Sequence, residues 1–288
     1  MYRYRKLIGA IIFAAFFMIL GKNLDFVPRV SLPGQTPVNT ESLKKQVLEF
    51  SKKQKGSYSV YYKSLSRNSS FGISENQVET GASVNKLPLV AAVYYLDKEG
   101  KIRLDDKITI QEEDVQDYGT GSIRYQKMPQ VYSIRNLVKL AVRESDNTAA
   151  HVLAVKIGLD KTQELIDSWG LTQTNMANNK TTNSDMELLF EKIYKGGVTN
   201  PANTEELLSF LTDSDTEDRL PAKLPKGVKV YHKTGDEEGF VHDLGIIETK
   251  KGAYFLGVMT SDIGEAEEAT KKAIAEISKM VYEFEENL

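Results

Sequence analysis

The alternation of apolar and polar positions divides the chain into blocks. Leu7 to Gly21, "LIGAIIFAAFFMILG", is an uncharged apolar run preceded by Arg3, Arg5 and Lys6. A positive segment before a short apolar core predicts a signal peptide or membrane anchor over residues 1–21. The run is slightly short for a span of roughly 20 residues. No A-x-A-like cleavage site follows it, which favours an uncleaved anchor. The positive charges would leave Lys22 onward on the outer face of the cytoplasmic membrane, as an exported domain. Residues 22–38, "KNLDFVPRVSLPGQTPV", hold three prolines and read as a linker.

"NTESLKKQVLEFSKKQ" then predicts an amphipathic helix with Leu43, Val47, Leu48 and Phe50 as its apolar positions. "SYSVYYKSL" and "SSFGI" read as two strands turned at Arg67–Asn68. From Gly81 the period becomes helical. "GASVNKLPLVAAVYYL" is apolar all round after its start, which is the pattern of a buried helix. It nevertheless opens with Ser83 and carries Lys86, a charge costly to bury. "SIRNLVKLAVRE", with Ser133 as N-cap, "NTAAHVLAVKIG", "DKTQELIDSWG" and "NSDMELLFEKIYKGG" continue the helical block. Strands return in "VKVYHKTG", "FVHDLGIIET" and "AYFLGVMT", and "GEAEEATKKAIAEISKMVYEF" closes the chain as a helix. Three consecutive strands with short connections favour antiparallel pairing. The order predicts an α+β, αβα-sandwich fold with a five-stranded, mostly antiparallel sheet and both terminal helices on one face. Residues 39–80 and 200–288 would form this lobe, and 81–199 an inserted helical lobe within the 39–288 domain. Sites commonly sit between two such lobes.

Composition narrows the chemistry. A net charge of -3 and a pI near 5.8 give no basis for a nucleic-acid partner. The absence of cysteine excludes disulfides, thiol catalysis and Cys-based zinc sites. With only His151, His232 and His242 and no H-E-x-x-H pair, a metal centre would have to be built mainly from carboxylates. No metal or cofactor is expected, and the chain is expected to act as a monomer.

Three short motifs stand where elements begin or end. "SVNK" sets Ser83 and Lys86 at i and i+3, on one face of a helix. "SDN", Ser145–Asp146–Asn147, lies between two helices, and "KTG", Lys233–Thr234–Gly235, ends a strand. Each has an ordinary reading: Ser83 as N-cap, Lys86 as a surface lysine, "SDN" as a turn, "KTG" as a strand end. "SLKK" from Ser42 to Lys45 also fits S-x-x-K and reads as a solvated helix face. The last two motifs each occur once, and the three occur in order at consistent structural positions.

Together, "SVNK", "SDN" and "KTG" resemble the signature of the penicillin-recognising serine enzymes, and the chain is most similar to the class A β-lactamases. "SDNTAAHVLAVKIG", "YGTGSI" and "HKTG…GFVHDLGII" extend the resemblance, which covers roughly 40–288. It implies a covalent acyl-enzyme at Ser83 with β-lactams or D-alanyl peptides of the cell wall. Lys86 would be the base, its pKa brought down from about 10.4 by burial and by Lys233. The resemblance also implies that Ser145 relays a proton to the departing nitrogen and that Asn147 grips the substrate's side-chain amide. Lys233 with Thr234 would hold its carboxylate, Gly235 would complete the substrate-binding strand end, and the backbone N–H groups of Ser83 and Asp236 would form the oxyanion hole.

The pattern breaks in "WGLTQTNMANNKTTNSDMELL", where class A enzymes carry the glutamate that activates the deacylating water. No carboxylate occurs between Trp169 and Ser184, and Asp185 and Glu187 read as helix N-terminal charges. Fast class A hydrolysis is therefore in question. A slowly deacylating penicillin-binding protein or D,D-peptidase, or a sensor without turnover, are the alternatives. The arginine that class A enzymes place near the substrate carboxylate has no evident match, and the roles of His242 and Asp243 stay open. A Ser-His-Asp triad lacks a G-x-S-x-G elbow. His151 and His232 read as structural.

Overall fold

Leu43 and Val47, four residues apart, form the buried side of α1 (Glu41–Ser51), with Leu48 and Phe50 half-buried beside them. The computed structural model describes residues 38–288; the segment expected over 1–21 and all but Val38 of the linker lie outside the described residues. Among the described residues no helix is long and apolar enough to cross a membrane. β1 (Ser57–Ser64) and β2 (Ser70–Ile73) pair antiparallel around Arg67–Asn68. The short strand β3 (Glu79–Thr80) leads into a 3-10 turn, Ala82–Asn85, and then α2 (Lys86–Lys98). Leu87 to Tyr94 are all buried, as an apolar circumference requires.

β4 (Lys107–Ile110) and β5 (Gln130–Ser133) pair with one another. They are followed by α3 (Ile134–Arg143), α4 (Asn147–Ile157), α5 (Leu159–Ser168), β6 (Lys180–Thr181), α6 (Asn183–Tyr194) and α7 (Pro201–Phe210). Caps fix several starts: Ser133, Asp146 and Thr182 accept from the backbone N–H of Asn136, Ala149 and Asp185. β7 (Val230–Glu237), β8 (Phe240–Thr249) and β9 (Gly252–Ser261) form a meander, and α8 (Glu267–Glu286) ends the domain.

β9 returns beside β1, with Val258 opposite Val60, and the sheet order is β2-β1-β9-β8-β7, antiparallel throughout. Both faces are covered, so β8 and β9 are nearly continuous apolar runs. Tyr62, Tyr254, Leu256 and Val258 pack with Leu43 and Val47 of α1 and Ile274, Ile277 and Val281 of α8. Leu244, Ile246, Phe255 and Met259 pack on the other side with Met186 and Phe190 of α6 and the apolar residues of α2. The α+β class, the five strands and the terminal helices on one face are as the sequence predicts.

Three features differ. Ser83 is not in an α-helical turn: Val84 N–H bonds the Gly81 carbonyl three residues back, and Ala82 is left-handed (φ 45°), so the α-helix begins only at Lys86. α7, for which no element was predicted, starts at an Asn200 cap with Pro201 in its first turn and buries Leu207 in the same core as α2 and α3. The pairs β3–β6 and β4–β5 are too short for their periodicity to be read.

Candidate active site

The 3-10 turn carries Ser83 to the mouth of a cleft of about 520 Å³. Its hydroxyl caps no helix, so the N-cap reading fails, and the nearest polar side chain is Lys86, with Nζ 3.0 Å from Oγ. The turn is held against β7 through Gly235. A Cβ there would stand 3.0 Å from Val84 Cγ2 and 3.1 Å from both the Gly81 carbonyl and Val84 N. Gly235 thus brings the backbone of Asp236 beside the nucleophile's turn. The duplicate motif Ser42–Lys45 lies on the exposed side of α1.

Lys86 Nζ also donates to the Ser145 carbonyl and, at 2.6 Å, to Asn147 Oδ1, and lies 3.2 Å from Ser145 Oγ. Burial, reinforced by the charge of Lys233 and only partly offset by Asp146, pushes its pKa down to about 6. The neutral amine has two protons. The Ser145 carbonyl and Asn147 Oδ1 can only accept, so both protons are committed there and the lone pair is left for Ser83. Lys233 approaches from β7, donating to Ser145 Oγ at 3.1 Å and to the Thr234 carbonyl at 2.9 Å. Burial brings its pKa down to about 8, Asp243 and Asp236 opposing. Ser145 therefore bridges the two amines.

The "SDN" turn is itself strained, Ser145 being a non-glycine residue at φ 54°. Asp146, buried, caps α4 and accepts from Ile123 N–H at 2.9 Å, so it holds the turn and does not enter the cleft. Gly121 (φ 115°) permits this, because a Cβ there would meet the Asp146 carboxyl at 2.2 Å. Asn147 spends its side chain internally, accepting from Lys86 and donating to the Tyr118 carbonyl at 3.0 Å. Of the eight residues singled out in the sequence, Ser83, Lys86, Ser145, Asn147, Thr234 and Asp236 line the cleft. Lys233 reaches it from behind and Gly235 supplies its close packing.

Arg219 is the residue that sequence reasoning missed. It is fully buried, donates to Asp236 Oδ2 at 2.6 Å and to the His242 carbonyl at 2.8 Å, and pairs with Asp218. Only its burial marks it, because it stands in no motif. The chain does contain a His–Asp pair, but it does not serve Ser83. His232 Nδ1 lies 2.8 Å from Asp243 Oδ1 and Nε2 lies 3.1 Å from Glu217. Although burial opposes its charge, the two carboxylates raise its pKa to about 9. His242 is neutral, burial pushing its pKa down to about 4; Nε2 donates to the Thr80 carbonyl and Nδ1 accepts from Thr260 N–H.

Neither carboxylate after the 169–182 loop reaches the cleft. Asp185 accepts from Gln173 N–H and the Thr174 hydroxyl, both at 2.8 Å, and Glu187 pairs with Lys63 at 2.8 Å. The loop instead presents Asn179 to the cleft, where it accepts from Asn85 Nδ2 at 2.8 Å. A larger cavity of about 870 Å³ between α7 and the start of β7 contains none of the motif residues. Among the described residues no group of three or more histidine and carboxylate side chains is gathered to hold a metal ion.

A two-faced antiparallel sheet with a helical lobe, and a serine, two lysines and a second serine meeting between them, define the penicillin-recognising class of serine enzymes. The profile of the beta-lactamase enzyme family matches residues 42–284, and the chain belongs to that family. A β-lactamase of Bacteroides uniformis is 28% identical over 238 residues, covering 70% of this chain and 77% of that protein. PBP-A superposes with a TM-score of 0.81 at 27% identity, over 90% of this chain and 100% of that one. A PBP-A variant was solved as its acyl-enzyme complex with penicillin G. The extended-spectrum β-lactamase TLA-1 superposes with a TM-score of 0.80 at 25% identity, covering 86% and 99%.

Proposed function

We propose that the protein is a serine acyl-enzyme catalyst that opens β-lactams or cleaves D-alanyl peptides at Ser83 and releases the acyl group slowly. The observation that carries this is the 3.0 Å approach of a lysine amine, with its pKa near 6, to the Ser83 hydroxyl. Lys86 takes the hydroxyl proton as Oγ bonds to the carbonyl carbon, and the developing oxyanion meets the N–H groups of Ser83 and Asp236. The proton then passes through Ser145 to the departing nitrogen as the C–N bond breaks. Lys233 and Thr234 hold the substrate carboxylate.

Release needs a water deprotonated beside the ester. Of the 169–182 loop only Asn179, an amide, reaches the cleft, and the loop holds no carboxylate; the base in contact with Ser83 is Lys86. Slow release is the consequence. On this reading the domain works outside the cytoplasmic membrane, delivered by the apolar run from Leu7. Intact-mass measurement of the full chain with benzylpenicillin tests it. A persistent adduct of one whole penicillin is expected, absent in Ser83→Ala. The names of the relatives favour a faster reading, and a fleeting adduct with accumulating penicilloate would establish it. No adduct at all would end the assignment of Ser83 as nucleophile.

A further inference from the structure

The cleft is lined by three carboxylates, Glu144, Asp236 and Glu237, and by a single amine, Lys86. These acids do not cancel equally. Asp236 is paired with buried Arg219, at 2.6 Å. Among the described residues Glu144 accepts only the N–H of Ser122, at 3.1 Å, and exposed Glu237 has no ion pair. The cations near the cleft are otherwise committed. Lys86, with a pKa near 6, carries little charge at neutral pH. Lys233 points at Ser145 and Thr234, and Arg124 sits behind the 117–121 loop on the carbonyls of Asp117 and Gly119. Glu144 immediately precedes Ser145 on the helical side, and Glu237 ends β7 on the sheet side, so the uncompensated charges stand on opposite walls.

We infer that Glu144 and Glu237, with Asp236 between them and Lys233, select acyl donors that carry a protonated amine on the acyl side and reject those that carry a second carboxylate there. This rests on the reading of Ser83 as the acylated group. The acyl portion stays in the cleft from encounter through the adduct, so its charge is felt at every step. In the peptide setting such a donor is a D-alanyl peptide with a free side-chain amine. Fixed charges on the walls of a cleft favour a bound group of the opposite sign, and, being partly exposed to solvent here, they act in a way that salt screens.

The test compares three penicillins that share the nucleus and differ in side-chain charge: aminobenzyl, benzyl and carboxybenzyl. The full chain is acylated by each and the second-order rate constant read from intact mass. Rates should fall in that order, spanning about tenfold or more, and converge in 1 M salt, where the Debye length is about 3 Å. Glu237→Gln, an exposed position, should narrow the span. Asp236→Asn, which keeps an oxygen for Arg219, should narrow it further. Equal rates, the reverse order, or a span indifferent to salt and to both variants would overturn the charge selection while leaving acylation at Ser83 intact. If none of the three acylates the protein, the Ser83 reading fails and this inference with it.

Discussion

Lys86 has four oxygen neighbours within hydrogen-bond reach and, when neutral, only two protons to give them. Its chemistry is therefore decided by whether it is charged. The rate of acylation should be bell-shaped in pH, rising through about 6 as Lys86 loses its proton and falling through about 8 as Lys233 loses the charge that holds the substrate carboxylate. The two limbs are linked, because the charge of Lys233 helps to keep Lys86 neutral. Lys233→Ala should slow acylation and also move the rising limb to higher pH. A rising limb that stays in place in this variant would mean that Lys86 is not the group being titrated. These side chains were legible because "SVNK", "SDN" and "KTG" are local spacings. Arg219 with Asp236, and His232 with Asp243 and Glu217, were not: strand register and a connecting loop bring them together, and no short pattern records it.

At the scale of elements, the site is three pieces held at short range: the 3-10 turn, the "SDN" turn between α3 and α4, and the end of β7. Gly235 sets the separation of the first and third. Adding one methyl in Gly235→Ala forces the turn or the strand to shift by a few tenths of an ångström, since the Cβ would lie 3.0–3.1 Å from Val84 and Gly81. Small displacements of reacting groups carry large rate penalties, so acylation should slow by about tenfold or more. Gly235, Val84 and Gly81 are all buried, so the melting temperature should fall as well, with the variant still folded at the assay temperature. A large loss of melting temperature with unchanged rate would place the role of Gly235 in the fold alone. The longer elements were readable from apolar patterning, the terminal helices by their period and the closing strands as apolar runs bounded by turns. The start of α2 was not, because an apolar run does not reveal that Ala82 turns left-handed and delays the α-helix by a turn. α7 carried a readable start in Asn200–Pro201 but lacks a strong apolar stripe, with Leu207 and Thr204 its only buried residues.

For the whole molecule, the cost of the site is spread over the fold. The sheet is packed on both faces and its terminal helices are tied to it, Glu285 of α8 bonding both the Tyr62 hydroxyl and Arg67. Against that rigid base, the cleft keeps an amine buried at a pKa near 6 when the unfolded chain would hold its proton to about 10.4. Between those values the unfolded state binds a proton that the folded state does not, so stability rises with pH and the penalty is largest at and below about 6. Lys86→Met removes the amine and with it this dependence. Chemical denaturation at a series of pH values should find the variant gaining most over the parent near pH 6 and losing that advantage steadily as pH rises, by about 1.4 kcal/mol per unit. The slope of the difference is the informative quantity. Hydrogen bonds to Ser145 and Asn147 that the variant loses shift the whole line without tilting it. A difference that is flat in pH would mean that Lys86 stays protonated in the folded protein, and a different group would then have to accept the Ser83 proton.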